Sequence, residues 1–249
     1  MFRHIALFYG HEIRATMRNP AWSLFGIMQP LFYLVLFAPL VANTTPGVPF
    51  GDALRDFTPG LLVMVALFSS LFVGFGIIGE IGNGVLERIA VSPASRPAIV
   101  LGRTLRDVTM LILQSLVLVV IAMAFGMRAH LPGLLVMLLL MAVTGVFASG
   151  LSYGLALAVR DVNALSPMLS FLSMPLILLT GIMLPMSFAP AWMQAVVQFN
   201  PLYHTVEAGK ALFRGDFGEL SIAIAFVSLI ALAMLTTRWS ISSIRRITL

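Results

Sequence analysis

The stretch that decides the fold is residues 57–79, FTPGLLVMVALFSSLFVGFGIIG, followed at once by Glu80 and the polar run IGNGVLERIAVSPASR ending at Arg96. No charge interrupts residues 57–79, and the run exceeds the roughly 20 residues a helix needs to cross about 30 Å of hydrocarbon. Inside lipid an unbroken apolar run satisfies its backbone polar groups only as a helix, whereas strands of a membrane barrel alternate over segments of about 10 residues. Five further stretches read the same way: 21–41, 108–125, 134–159, 164–184 and 220–237. All 15 basic and 10 acidic residues fall outside these six segments. The expected fold is therefore an all-α integral membrane protein with six transmembrane helices.

Composition excludes the alternatives. Of 249 residues, 59% are hydrophobic and only 10% charged, against about 25% charged in a typical soluble domain. With no cysteine there is no thiol catalysis, no disulfide scaffold and no Cys-ligated metal. The four histidines, His4, His11, His130 and His204, show no metal-binding spacing. The longest piece between spans, 185–219, is shorter than the roughly 50 residues of a small domain. Residues 1–249 thus read as a single transmembrane domain.

Basic residues set the expected orientation, because Lys and Arg in short loops resist translocation. One side holds Arg3, Arg14, Arg18, Arg88, Arg96, Arg103, Arg106, Arg160, Arg238, Arg245 and Arg246, the other Arg55, Arg128, Lys210 and Arg214. Both termini are expected in the cytoplasm. The net charge of +5 is accounted for by an inner face meeting anionic membrane lipids, with no nucleic acid partner. Over residues 1–19, Phe2, Ile5, Ala6, Tyr9, Ile13 and Met17 fall on one helical face and Arg3, His4, His11, Arg14 and Arg18 roughly opposite. That separation predicts a cytoplasmic N-terminal amphipathic helix at the interface. Between the fifth and sixth spans, 185–219 contains an apolar piece with Trp192, too short to cross, and predicts an extracytoplasmic re-entrant segment.

Several motifs imitate catalytic chemistry. Gly74, Gly76 and Gly79 have dinucleotide-fingerprint spacing, but at the end of an apolar span, where close helix packing through small residues is the better reading. Gly150, Ser152 and Gly154 resemble a nucleophile elbow, yet no histidine lies within a span to serve as base, and the Gly150/Gly154 pair suits helix contact. No Walker A sequence occurs. The six segments offer only Gln29, Gln114 and hydroxyls as polar groups. A path lined this way suits greasy or amphipathic molecules, and any uphill transport draws its energy from outside the chain.

Glu80, Asn83, Glu87 and Arg88 are polar and Val85, Leu86 and Ile89 apolar, between Gly84 and Pro93. Either a short amphipathic helix that docks into a partner groove or a solvated loop fits this pattern. Here the chain resembles a family, the ABC-2 type permeases, membrane subunits of one class of ABC exporters. The resemblance rests on Glu80, Gly82–Gly84, Leu86-Glu87-Arg88, Ser92-Pro93, Ser95-Arg96 and Leu101-Gly102-Arg103. It extends through residues 180–185, Pro190 with Trp192, Asn200-Pro201-Leu202-Tyr203 and Val206-Glu207, while Lys210 stands where many relatives carry Arg. Within the family the chain looks most like daunorubicin-resistance and nodulation-exporter permeases.

The resemblance implies a multi-pass permease of the bacterial inner membrane, exporting a hydrophobic or amphipathic drug-like molecule by alternating access. It implies two separate ATP-binding subunits carrying ATP and Mg, no cofactor or catalytic site in this chain, and a second permease copy as homodimer or a paralogue as heterodimer. Residues 80–104 become the coupling loop, with Glu80, Asn83, Leu86, Glu87 and Arg88 at the ATPase contact. Phe25, Met28, Phe32, Phe68 and Phe72 are expected path-wall residues, with lipid contact or core packing as each one's alternative role. A polysaccharide or glycolipid exporter of the same class, an intramembrane serine hydrolase using Ser152 and a non-transporting assembly subunit are the competing readings.

Overall fold

The computed structural model describes residues 2–18, 21–44, 49–84, 96–182, 186 and 189–247. Among the described residues the chain is helical with no strand. The helices are α1 (Phe2–Arg18), α2 (Ala21–Thr44), α3 (Phe50–Ser70), α4 (Gly74–Gly82), α5 (Arg96–Ala124), α6 (Leu131–Val159), α7 (Val162–Leu178), α8 (Ala191–Val197), α9 (Pro201–Arg214) and α10 (Leu220–Ile247). Four stretches are long and apolar enough to cross a membrane: Phe50–Gly82, Pro97–Ala124, Leu131–Val159 and Leu220–Ile244. Gly26–Phe37 and Val162–Leu178 are shorter apolar helices.

The centre of the bundle is α3. Leu61 to Leu67 are buried without exception, because this part of the sequence is apolar on every helical face and so finds neighbours on every face. Helix α2 packs on it from one side, while α5, α6 and α9 close the others. Small residues bring α6 and α10 together over a long seam. A Cβ at Gly150 would lie 2.8 Å from Thr236 Oγ1, and one at Gly154 would lie 2.4 Å from the Trp239 ring. Helix contact, the preferred reading of this glycine pair, is what the structure contains.

Three boundaries differ from the sequence reading, each for a local reason. The second span is not one straight helix: α3 stops at Ser70 and α4 begins at Gly74. At the break the Gly74 N–H leaves the helix ladder and donates to Ser152 Oγ on α6 at 2.9 Å, and a Cβ on Gly74 would sit 2.7 Å from the Ser152 carbonyl oxygen. The third span is preceded by more than two turns of continuous helix from Arg96, so Arg103, Arg106 and Asp107 ride on the spanning helix itself. The helix of the fifth expected span, α7, ends at Leu178 and not at residue 184, and just beyond it Gly181 turns the chain with φ +74°.

In the region between α7 and α10 the sequence suggested one short apolar segment, and the structure adds a second helix. Asn200 caps α9 by accepting from the Leu202 N–H at 3.0 Å, Pro201 opens it, and Gly215 closes it with φ +93°. This helix buries Leu202, Val206, Ala208, Leu212 and Phe213 against α3, α6 and α10. By contrast α8 is peripheral, with Trp192 65% exposed.

Candidate functional site

Helix α1 reaches the bundle through Ile5, Phe8, Tyr9 and Glu12 laid along α5. The approach is close because Gly102 has no side chain: a Cβ there would sit 2.7 Å from Phe8 Cβ and 3.2 Å from the Tyr9 nitrogen. Tyr9 and Thr109 share a side-chain hydrogen bond at 3.2 Å. The docking face thus differs from the sequence wheel. Phe8 and Glu12 belong to it, whereas Met17, placed on the apolar face, is 71% exposed.

Glu12 is the centre of an ionic cluster. Its Oε1 accepts from Arg103 Nε at 3.1 Å and its Oε2 from Arg106 Nη1 at 3.0 Å. Arg103 reaches onward through Nη2 to Glu80 on α4. Arg106 Nε also donates to Asp107 Oδ1 at 2.9 Å and its Nη2 to the Tyr153 hydroxyl at 3.3 Å, while the Tyr153 hydroxyl donates to Asp107 Oδ2. Glu12, Arg103, Asp107 and Tyr153 are all buried. Desolvating charges is unfavourable unless each is paired and hydrogen-bonded, and here every member has at least two partners or one bidentate partner within reach, except Glu80, which is part-exposed. The cluster joins four helices, α1, α4, α5 and α6, at the end of the bundle where α4 leads into residues 85–95.

Above the cluster opens a cavity of about 740 Å³. Its floor is polar, made by Glu12, Thr16, Glu80, Arg106 and Asp107. Its wall is aromatic: Phe68, Phe72 and Phe75 stack in near-parallel sequence, with centroids 6.3 and 6.1 Å apart. Gln29, Ser69 and Gln114 also line it, and Ser69 donates to the Gln114 side-chain oxygen. A cavity with one ionic end and one aromatic side accommodates an amphipathic molecule more readily than a bare ion or a uniformly apolar one.

The expected site residues distribute as follows. Glu80 is in the cluster, and Asn83 is exposed just past the end of α4. Leu86, Glu87 and Arg88 lie outside the described residues, as does the side chain of Phe25. Phe68 and Phe72 line the cavity. Met28 and Phe32 are exposed on α2 at 44% and 58% and do not line it. Sequence reading gave no site role to Glu12, Arg106, Asp107 and Tyr153 and took Arg103 only as part of the loop motif, and its picture of an interior with no charge near the path needs correction: the paired charges sit at the foot of the cavity. Signals were present. Glu12 is the lone carboxylate in the first 20 residues, and Arg103 with Arg106 and Asp107 has the i, i+3, i+4 spacing of one helix face.

Two other motifs resolve here. Ser152 is fully buried and its Oγ accepts the Gly74 N–H, so its hydroxyl is engaged in helix packing with no histidine beside it. Of the three fingerprint glycines only Gly74 makes a close contact, while Gly76 and Gly79 have open space at the Cβ position. Among the described residues no group of His, Asp or Glu is arranged to hold a metal ion. At the opposite end of the bundle Arg214 of α9 grips Asp56 of α3 with two hydrogen bonds, at 3.0 and 2.8 Å, which raise the guanidinium pKa above its ordinary value.

A family model described as ABC-2 type transporter matches residues 4–213, from α1 through α9. The chain is 26% identical over 204 residues to the daunorubicin resistance ABC transporter permease protein DrrB1 of Streptomyces coeruleorubidus, covering 80% of this chain and 70% of the relative. It is 28% identical over 207 residues to the putative transport permease ycf38 of Cyanophora paradoxa, with 79% and 69% covered. It is 21% identical over 193 residues to the probable doxorubicin resistance ABC transporter permease protein DrrC of Mycobacterium tuberculosis, with 76% and 69% covered.

Proposed function

Since this chain belongs to the ABC-2 type transporter family, we propose that it is the permease of an exporter driven by two separate ATP-binding subunits, moving a hydrophobic or amphipathic small molecule out of the cytoplasm or inner leaflet. The protein is a multi-pass membrane subunit. In our reading it crosses the bacterial inner membrane six times with both termini cytoplasmic, using α2 and α7 beside the four long apolar stretches, and pairs with a second copy or a paralogue. ATP and Mg belong to the partner subunits, and this chain supplies no catalytic group of its own. Residues 185–219 form the outer re-entrant region.

The observation that carries this reading is the connection from the loop to the cavity. Glu80 stands at the cavity floor and near the entrance to residues 85–95, and Arg103 ties it to Glu12 of α1. In this account Asn83, Leu86, Glu87 and Arg88 contact the ATP-binding subunit. Closure of those subunits pushes the loop, and the Glu80–Arg103–Glu12 chain passes the displacement to α1 and to the floor of the cavity. Phe68 and Phe72 form the wall against which the transported molecule rests.

The test is ATP hydrolysis by the purified complex in liposomes, with and without daunorubicin, the compound in one relative's name. Phe72→Ala removes one aromatic face, worth about 0.5–1.5 kcal/mol, and raises the half-stimulating concentration about two- to twelvefold with basal turnover unchanged. Arg88→Ala lowers stimulated turnover while membrane insertion stays normal. Stimulation that survives Arg88→Ala and Glu87→Ala alike removes the loop from the mechanism. A drug-insensitive wild type with its ATP-binding subunit in place removes the proposed substrate class.

A further inference from the structure

A second, smaller cavity of about 360 Å³ lies on the other side of the bundle, between α6 and α10, open to the outside. Val143, Val146, Ile230, Ala233 and Met234 make it apolar, and Thr237 and Arg238 stand at one end. Arg238 is exposed, one helical turn beyond Met234, and among the described residues it has no ion-pair partner. From residue 220 to residue 249 the sequence contains no Asp or Glu, and its charged side chains are Arg238, Arg245 and Arg246. Ile224, Val227, Ile230, Met234 and Leu235 are exposed on the same helix, which is the surface a spanning helix turns toward lipid.

From the apolar groove ending at an unpaired guanidinium we infer that this is a binding site for one anionic phospholipid, its acyl chain lying in the α6–α10 groove and its phosphate on Arg238. Charge complementarity selects this occupant. A zwitterionic lipid brings an ammonium that Arg238 disfavours, and an apolar helix of a partner protein leaves Arg238 without a counter-charge at the edge of hydrocarbon. A guanidinium pairs with phosphate oxygens through two parallel N–H donors, and basic residues at an anionic membrane surface contribute favourably one by one. The site also lies along the seam fixed by Gly150 and Gly154, so a bound chain would brace the α6–α10 contact from outside. This inference uses only the chain's place in a membrane and goes beyond the transport reading.

Trp239 adjoins Arg238 and is part-exposed, which provides a reporter. In a Trp22→Phe, Trp192→Phe background it is the sole tryptophan, since the chain has three. The protein is reconstituted in phosphatidylcholine vesicles containing either phosphatidylglycerol or phosphatidylcholine brominated on the upper acyl chain, at equal mole fraction, and Trp239 quenching is measured. The expected result is preferential quenching by the anionic lipid, equivalent to an about fivefold enrichment. That preference disappears in Arg238→Gln, persists in Arg238→Lys, and persists in Arg245→Gln with Arg246→Gln. Equal quenching by both lipids in the parent protein overturns the proposal, and that comparison decides even where Arg238→Gln fails to insert. A preference retained in a well-inserted Arg238→Gln protein overturns the assignment to this groove. Protection from both brominated lipids at high protein density, relieved by dilution, means that a second protein surface covers the groove, and overturns it as well.

Discussion

Consider replacing Glu12 by Gln. The wild-type carboxylate accepts from Arg103 at 3.1 Å and from Arg106 at 3.0 Å and is largely buried. Hydrogen bonds to charged groups contribute about 1.5–3 kcal/mol each and neutral ones about 0.5–1.5. The amide keeps one acceptor, so one bond from a charged guanidinium survives without the carboxylate's charge, and the other is replaced by an NH2 facing a guanidinium. Neither arginine is orphaned, because Arg103 keeps Glu80 and Arg106 keeps Asp107. The loss therefore stays below the 3–5 kcal/mol that follows removal of a buried charge's sole partner, and about 2–3 kcal/mol is the expected weakening of α1 docking. At about 1.4 kcal/mol per factor of ten, the undocked population rises about 30- to 150-fold. The chain has no cysteine, so a single thiol reports the docking directly. Phe8→Cys places it over Gly102, and its labelling by a maleimide in liposomes measures how often α1 lifts away. Glu12→Gln on that background should speed labelling by the stated factor. Gly102→Val should speed it too, because its side chain collides with the Cβ at position 8, which cysteine keeps, and with the Tyr9 backbone. A Glu12→Gln rate within about threefold of the parent would falsify the claim that the ionic cluster, more than the apolar stripe, holds α1 in place.

Three further outcomes follow from individual contacts. Gly133→Ala should prevent a stable bundle, because its Cβ falls 1.8 Å from the Leu212 carbonyl oxygen on α9; backbone on both sides leaves no flexible side chain to yield, and a monodisperse peak with the parental melting temperature contradicts it. Ser152→Ala leaves the Gly74 N–H without its acceptor, so a loss of about 1–3 kcal/mol in denaturation is expected with transport retained. Full loss of function at parental stability would instead restore Ser152 as a reactive group. Arg214→Ala breaks a two-bonded pair with Asp56, but both side chains are nearly half exposed, at 45% and 44%. Stability should fall by no more than about 1 kcal/mol, less at high salt, and a larger salt-independent loss means the pair is buried in the assembled protein.

What the sequence made legible follows the period and purity of its signals. Residues 57–79 and 134–159 are apolar on all sides, and the corresponding stretches are the two most buried of the four long apolar ones. The Gly150/Gly154 pair named a contact surface without naming its partner, which proved to be Thr236 and Trp239 nearly 90 residues away. Caps at Asn200, Pro201 and Gly215 would have marked α9, but its mixed polarity hid it beside longer apolar runs. The ionic cluster was harder to see. Each charge lies just outside an apolar segment and reads alone as a topology signal, and only the close approach at Gly102 turns Glu12 inward to meet Arg103 and Arg106. The break at Gly74 also depends on a distant acceptor, Ser152, that no local pattern announces.

The account stands or falls on the protein that drives this one. Gentle extraction of the tagged chain from its native membrane, followed by mass spectrometry of what accompanies it, tests that directly. We predict a stoichiometric soluble subunit carrying a Walker A sequence, released when Glu87 and Arg88 are both replaced by Ala. A chain that purifies intact and alone, with ATP hydrolysis absent from every co-eluting fraction, contradicts the reading of an ATP-driven permease.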